Sequence, residues 1–251
     1  MKTAEVIGDA CPSLTTLNLN YTSVPPVSLL GPLTSCTNLE VLKVAGIQNW
    51  VSKYNTIANR IADPYGDSIQ TDATFAKLLA GLAQEPDMTL PHMKNLKFRQ
   101  LGLSETSMYA FIALCPKLAR LDVSFTRLHR PPPSKVTSAH ALEKLSLTST
   151  ALSSTDVVSL ISTSPNLRTL YLGALGSGQG SSASVGAMTM TDDTLKSLTD
   201  VMENFEHLEK FSLVGNTKLG FTSRHDEHGA LADVIRRVGR KCKARPIVPC
   251  V

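Results

Sequence analysis

One spacing recurs along most of this chain: Leu-x-x-Leu-x-Leu-x-x-Thr, or a close relative of it. Clean copies are Leu14, Leu17, Leu19, Thr22, then Leu118, Leu121, Val123, Thr126, and Leu142, Leu145, Leu147, Thr150. Weaker copies run through Leu39, Leu42, Val44, Ile47 and through Phe98, Leu101, Leu103, Thr106. Leu167, Leu170, Leu172, Leu175 and Leu208, Phe211, Leu213, Asn216 complete the set. Self-similarity of this kind constrains the fold before local propensity does. Residues two apart on a strand share a face, so Leu17 and Leu19 point the same way while Leu14 sits in the entering turn. One such unit cannot cover its own apolar edge. Stacked units cover each other, with their strands side by side in a parallel sheet.

From one strand leucine to the next (Leu17, Leu42, Leu101, Leu121, Leu145, Leu170, Phe211) the steps are 25, 59, 20, 24, 25 and 41 residues. The short steps match a leucine-rich repeat of roughly 20–29 residues. The long ones imply insertions at 48–70 and 173–190. The expected fold is an α/β leucine-rich-repeat solenoid, with a curved, parallel, concave sheet and helices and loops on the convex side. It forms a single domain over 1–251. Residues 1–13 are expected to be the remnant of a preceding repeat, about 14–220 the repeats, and about 225–251 a basic C-terminal helix, cap and tail.

Hydrophobic content of 42% supplies a continuous core, and the 5% aromatic content suits one built from Leu, Val and Ile. The formal charge of +4 is mildly basic. No run approaches the roughly 18 apolar residues of a membrane span, and the first residues carry no apolar leader. Both point to an intracellular protein, cytoplasmic or nuclear. Cys11, Cys36 and Cys115 each precede the first motif leucine by three residues, so they recur along one edge of the stack. Without a Cys-x-x-Cys pair they are expected to pack as small hydrophobes, not to bind zinc or form disulfides. Cys242 and Cys250 stay open.

Between strands, Thr71-Asp72 ahead of Phe75, Leu78, Leu79 and Leu82 predicts a capped helix. Thr155-Asp156 and Thr191-Asp192 predict two more. Met108, Phe111, Ile112 and Cys115 predict a shorter one. Arg130-Pro131-Pro132-Pro133 predicts an extended connection in place of a helix. Gly173 to Gly186 reads as a Gly/Ser-rich loop.

Cys11-Pro12-Ser13-Leu14, Cys115-Pro116-Lys117-Leu118, Ser164-Pro165-Asn166-Leu167 and the three Thr-Asp pairs resemble the cysteine-containing, ribonuclease-inhibitor-like class of leucine-rich repeats. That class is found in F-box leucine-rich-repeat proteins, the substrate receptors of Skp–cullin ubiquitin ligases. The resemblance covers about residues 11–220. It implies a non-catalytic module that docks a protein partner. It implies a Skp-type adaptor only if an F-box lies upstream. The sequence departs from the class in carrying mostly Thr where Cys or Asn usually follows the strand.

Alternation along the strands places Thr16, Asn18, Asn20, Lys43, Gln100, Arg120, Asp122, Lys144, Ser146, Tyr171, Lys210 and Ser212 on the concave face, as candidate partner contacts. Trp50, the only Trp, is a candidate rim anchor, since Trp is enriched at interface hot spots. His225-Asp226-Glu227-His228 lacks a third ligand at a metal spacing, so no metal is expected. Gly176-x-Gly178-x-Gly180 lacks the Gly-Lys-Ser/Thr ending of a phosphate loop, and no Gly-x-Ser-x-Gly elbow occurs. Neither an enzyme nor a cofactor is expected. Arg236, Arg237, Arg240, Lys241, Lys243 and Arg245 read as the polar side of a capping helix whose apolar side is Leu231, Val234, Ile235 and Val238. Nucleic-acid binding there is the disfavoured reading, and no membrane is involved. The leading expectation is the recognition part of an F-box-like receptor. The rival is a regulatory scaffold or inhibitor of the ribonuclease-inhibitor-like group, unrelated to ubiquitin.

Overall fold

In the computed structural model, seven three-residue strands pair in sequence order, all parallel, in one open sheet. Described are residues 3–22, 24–45, 72–85, 87–99, 101, 103–126, 128–131, 141–173, 190–216, 219 and 229–240. The strands are β1 Thr16–Asn18, β2 Val41–Lys43, β3 Asn95–Lys97, β4 Arg120–Asp122, β5 Lys144–Ser146, β6 Thr169–Tyr171 and β7 Lys210–Ser212. The central residues are matched across all of them: Leu17, Leu42, Leu96, Leu121, Leu145, Leu170 and Phe211. The six leucines are at most 5% exposed, and Phe211 is partly buried against the same core.

This register corrects the third motif copy. It runs Met93, Leu96, Phe98, Leu101, so the strand lies at 95–97 and not around Leu101. Met93 and Phe98 fill positions that elsewhere hold Leu or Val, and both are fully buried. Non-leucine core residues here, with Leu101 and Leu103 just downstream, shifted the apparent frame by five residues. The steps become 25, 54, 25, 24, 25 and 41 residues, so every step without an insertion is 24 or 25.

A repeated backbone device stitches neighbours together. The carbonyl two residues before each strand leucine accepts two amides from the next repeat. Thr15 O takes Glu40 and Val41 at 2.9 and 3.0 Å, Lys94 O takes Ala119 and Arg120, and Arg168 O takes Glu209 and Lys210. After β1, β4, β5 and β7 the chain turns sharply. Tyr21, Phe125, Ser149 and Gly215 occupy equivalent positions with φ of 57°, 60°, 56° and 84°. Only Gly takes up this left-handed backbone without steric cost. The motif threonines close the turn, with the Thr22, Thr126 and Thr150 hydroxyls donating to the carbonyls of Leu19, Val123 and Leu147 at 2.7–3.0 Å. Asn216 does more. Its amide donates to Leu213 O at 2.7 Å and to Leu172 O of the preceding repeat at 2.9 Å.

The helices between strands are α1 Thr3–Ala10, α2 Leu30–Ser35, α3 Asp72–Leu82, α4 Glu105–Ala113, α5 Ser154–Ser162, α6 Asp192–Met202 and α7 Ala230–Arg237. A 3-10 turn at Pro26–Leu29 leads into α2. Contacts of α1 with α2, α2 with α3, α3 with α4, α5 with α6 and α6 with α7 make them a layer over the buried side of the sheet. At the α1–α2 contact a Cβ on Gly8 would lie 2.8 Å from the Gly31 carbonyl, so the two backbones meet directly. Ser104, Ser153 and Thr191 cap α4, α5 and α6 by accepting the amide three residues on. The cap of α5 is thus Ser153, two residues before the expected Thr155. Phe75 of α3, Phe98 after β3 and Phe111 of α4 form an aromatic triangle with centroids 5.2–5.9 Å apart. It holds the repeat that follows the long insertion.

On α7, Ala230, Val234 and Val238 are buried, but Leu231 and Ile235 are 41% and 62% exposed, so the expected apolar side is half as wide. Its basic residues are partly engaged. Arg237 meets Asp200 of α6, Glu203 just past the end of α6 and Asp233 of its own helix, and Arg236 meets Asp233. The hydrogen bonds that the Arg237 guanidinium donates to these carboxylates, Glu203 first, push it further above its usual range. The insertions at 48–70 and 174–189, Pro132 and Pro133, His225–His228 and Cys242 and Cys250 lie outside the described residues. Among the described residues no helix is long and apolar enough to cross a membrane. No three His, Cys, Asp or Glu gather there as a metal cluster.

Of the cysteine row, Cys36 and Cys115 are buried and Cys11 is exposed, which corrects the expectation for Cys11. Cys11 belongs to the first stacked repeat, while the Cys36 thiol reaches the Cys11 carbonyl at 3.3 Å. Burial pushes the Cys115 thiol up to about 12. The register and sheet together make this a leucine-rich-repeat solenoid. Leu145→Ala should destabilise it by about 2–5 kcal/mol in denaturant unfolding, while the outward Lys144→Ala should cost no more than about 1 kcal/mol. Iodoacetamide near pH 8 should label Cys11 in the folded protein, and Cys36 and Cys115 only after unfolding, read by peptide mass mapping.

Candidate partner-binding face

Each strand buries its central side chain against the helices and turns the flanking two the other way. Two rows of side chains therefore cross the open face of the sheet. One row is Thr16, Val41, Asn95, Arg120, Lys144, Thr169, Lys210. The other is Asn18, Lys43, Lys97, Asp122, Ser146, Tyr171, Ser212. Neighbouring members of a row stand roughly 4.8 Å apart, the strand spacing.

Of the residues expected on this face, Thr16, Asn18, Lys43, Arg120, Asp122, Lys144, Tyr171, Lys210 and Ser212 stand there, exposed or half-buried. Ser146 occupies its row position but is only 8% exposed, and its hydroxyl lies 2.6 Å from that of Ser124. Asn20 has a structural task. Its Oδ1 accepts the amide of buried Ala45 in the next repeat at 2.8 Å. Asn18 and Asp122, equivalent in the two turns, accept the amides of Asn20 and Ser124 two residues on, at 3.2 and 3.0 Å. Trp50 and Gln100 lie outside the described residues. The shifted third frame hid Asn95, Lys97 and Arg99. A frame anchored on the constant 25-residue step would have found them.

Two aromatic–cation groupings organise the face. The Tyr171 ring stands between two ammonium groups, Lys210 at 5.1 Å and Lys144 at 5.4 Å from its centroid. Lys144 and Lys210 share one row and are two strands apart, with Tyr171 of the intervening strand placed diagonally between them. At the rim just past β3, the Arg99 guanidinium lies 4.6 Å over the Phe125 ring. The ring quadrupole attracts a cation at such distances by about 0.5–1 kcal/mol at exposed sites. The Arg99 Nε is buried and has no hydrogen-bond partner among the described residues.

Charge is distributed unevenly. Lys43, Lys97, Arg99, Arg120, Lys144 and Lys210 all belong to this face or its rim, with Asp122 the one carboxylate in the two rows. None of the six makes an ion pair among the described residues. Off the face the pattern differs. Lys94 meets Glu40 at 2.7 Å and Arg168 meets Glu209 at 3.0 Å along the row before the strands, and Lys196, Arg236 and Arg237 meet acids on the helices.

Elsewhere the described surface offers little chemistry. An apolar cleft lies between α4 and α5, lined by Met108, Tyr109, Ile112, Leu128, Leu142 and Leu160 over the strand leucines. Its one polar lining group is Tyr109, whose hydroxyl donates to the Arg130 carbonyl. Burial first, and then the charges of Glu105 and Asp156, raise that phenol above its ordinary range. Such a phenol stays neutral and is no general base.

No protein-family model matches the chain, and no curated protein matches it. Among solved structures it is similar to an internalin of Listeria monocytogenes, at 14% identity over 84% of this chain and 44% of that one, TM-score 0.44. A leucine-rich-repeat protein of Leptospira interrogans is 14% identical over 82% of this chain and 44% of that one, TM-score 0.44. The tropomodulin C-terminal domain of Caenorhabditis elegans covers 96% of both chains at 11% identity and TM-score 0.29. The chain spans under half the length of the first two. The class, a leucine-rich-repeat protein, rests on its own seven-strand register and 24–25-residue step.

If Asn20 serves the stack and not a partner, Asn20→Ala should cost about 1–3 kcal/mol by stranding the buried Ala45 amide. Lys43→Ala on the same face should leave the unfolding midpoint nearly unchanged. Parallel denaturant titrations compare the two.

Proposed function

We propose that this protein is a non-catalytic interaction module that docks a polypeptide partner on the open face of its sheet. The observation that carries this reading is the seven-strand register, which lines up two outward side chains per strand across an open face. Stacked repeats generally use such extended surfaces for recognition. Side chains held at fixed spacing by a rigid sheet lose little freedom on binding, which favours affinity. Tyr171, flanked by two lysines, is the best-placed anchor, because aromatic side chains bury large area with few rotatable bonds.

The likeness of the Cys-Pro and Thr-Asp repeat pattern to F-box leucine-rich-repeat proteins supports a narrower form, in which the module is the substrate-recognition part of a ubiquitin-ligase receptor. Co-purification with a Skp-type adaptor tests that form separately. Its absence leaves the regulatory scaffold or inhibitor as the alternative.

A photo-crosslinking amino acid at position 171 should trap a polypeptide in cells, whereas the same group at Lys196, on the helix side, should not. Equal crosslinking at both positions, or none at 171, would overturn the docking face.

A further inference from the structure

We propose that the segment docked on the open sheet face is acidic, a run of Asp and Glu side chains in an extended stretch of a protein partner. This rests on reading that face as the docking surface. The inference comes from charge complementarity. Five cations stand in the two rows against one carboxylate, with Arg99 a sixth at the rim, although the whole chain holds 25 basic and 21 acidic residues. None of the six has an acidic partner among the described residues, while cations on the helices and the row before the strands do. Like charges crowded on a rigid sheet repel one another, and a carboxylate-bearing ligand removes that repulsion.

The spacing suits a polypeptide. Lys43 and Lys97 are neighbours in one row, Arg120 and Lys144 in the other, and Lys210 stands two strands beyond Lys144. Crossing seven strands takes roughly 30 Å, the reach of about nine extended residues. Single-stranded nucleic acid fits less well. Its binding sites offer aromatic rings as free stacking platforms. Here Tyr171 already faces two ammonium groups and Phe125 already carries Arg99.

The test uses the full chain and a fluorescein-labelled peptide of alternating Glu and Ser, about nine residues long to match the face. Its Gln–Ser analogue and a single-stranded oligothymidylate of similar length serve as comparisons. In anisotropy titrations the acidic peptide should bind at low salt, weaken severalfold at physiological salt, and exceed the Gln analogue at least tenfold. Lys97→Glu with Lys144→Glu should lower its affinity at least tenfold. Lys117→Glu with Lys196→Glu, the same charge change off the face, should alter it less than twofold. Unchanged thermal melting establishes that both pairs fold, and Lys97→Gln with Lys144→Gln replaces the reversal pair if it does not. Absence of acidic-peptide binding, equal binding of the Gln analogue, or equal loss in both pairs overturns the proposal. Tighter binding of the oligothymidylate overturns it in favour of nucleic acid. A position-171 crosslink mapping to a neutral or basic segment would sink this inference and leave the docking face standing. Failure of all crosslinking at 171 would sink the docking face itself.

Discussion

The inward leucine of each strand has no cover of its own. A three-residue strand offers a single side chain to the core, so it is stable only when matching residues close it on both sides. Leu42, Leu96, Leu145 and Leu170 are fully buried because each is flanked in register. Burying one such side chain contributes about 1.5–3 kcal/mol, but only within the row. The paired amides converging on one carbonyl per repeat fix the strands' register at the same time. Once the inner row is set, period-two alternation leaves no choice about which residues face outward. The charge pattern of the open face therefore follows from the burial of the leucines beneath it.

How much of this was legible in the sequence varies by repeat. Where the motif is filled by Leu and Val, as at Leu118 to Val123 and Leu142 to Leu147, strand and outward residues fall where the spacing puts them. At the third repeat Met93 and Phe98 take leucine positions, and Phe98 packs there with Phe75 and Phe111. A leucine search slid downstream and missed Asn95, Lys97 and Arg99. Asn20 illustrates a different limit. Its residue type fits a contact surface, and only the neighbouring repeat's Ala45 amide reveals its task. Leu231 and Ile235 follow helical spacing, yet the shallow packing of α7 on α6 covers only the stripe through Ala230, Val234 and Val238.

The two sides of the sheet use charge differently. On the helix side and in the row before the strands, opposite charges meet and hold neighbouring elements together, with Arg237 bridging α6 and α7. On the open side the aromatic rings take the place of carboxylates. Tyr171 and Phe125 stabilise ammonium and guanidinium groups without neutralising them. The rings thus fix the positions of cations while preserving the field they project.

The left-handed residue after the strand has a further consequence. Tyr21, Phe125 and Ser149 hold a backbone conformation that costs an L-residue about 1–2 kcal/mol. They hold it because Tyr21, Phe125 and Ser149 each donate their amide to the following repeat, at 2.8, 2.8 and 3.0 Å. The bend at these corners is therefore held by the next coil along as well as by the repeat's own threonine. Severing the array between two coils would therefore take that support from the corner on the upstream side of the cut, and leave the downstream coil's own corner untouched.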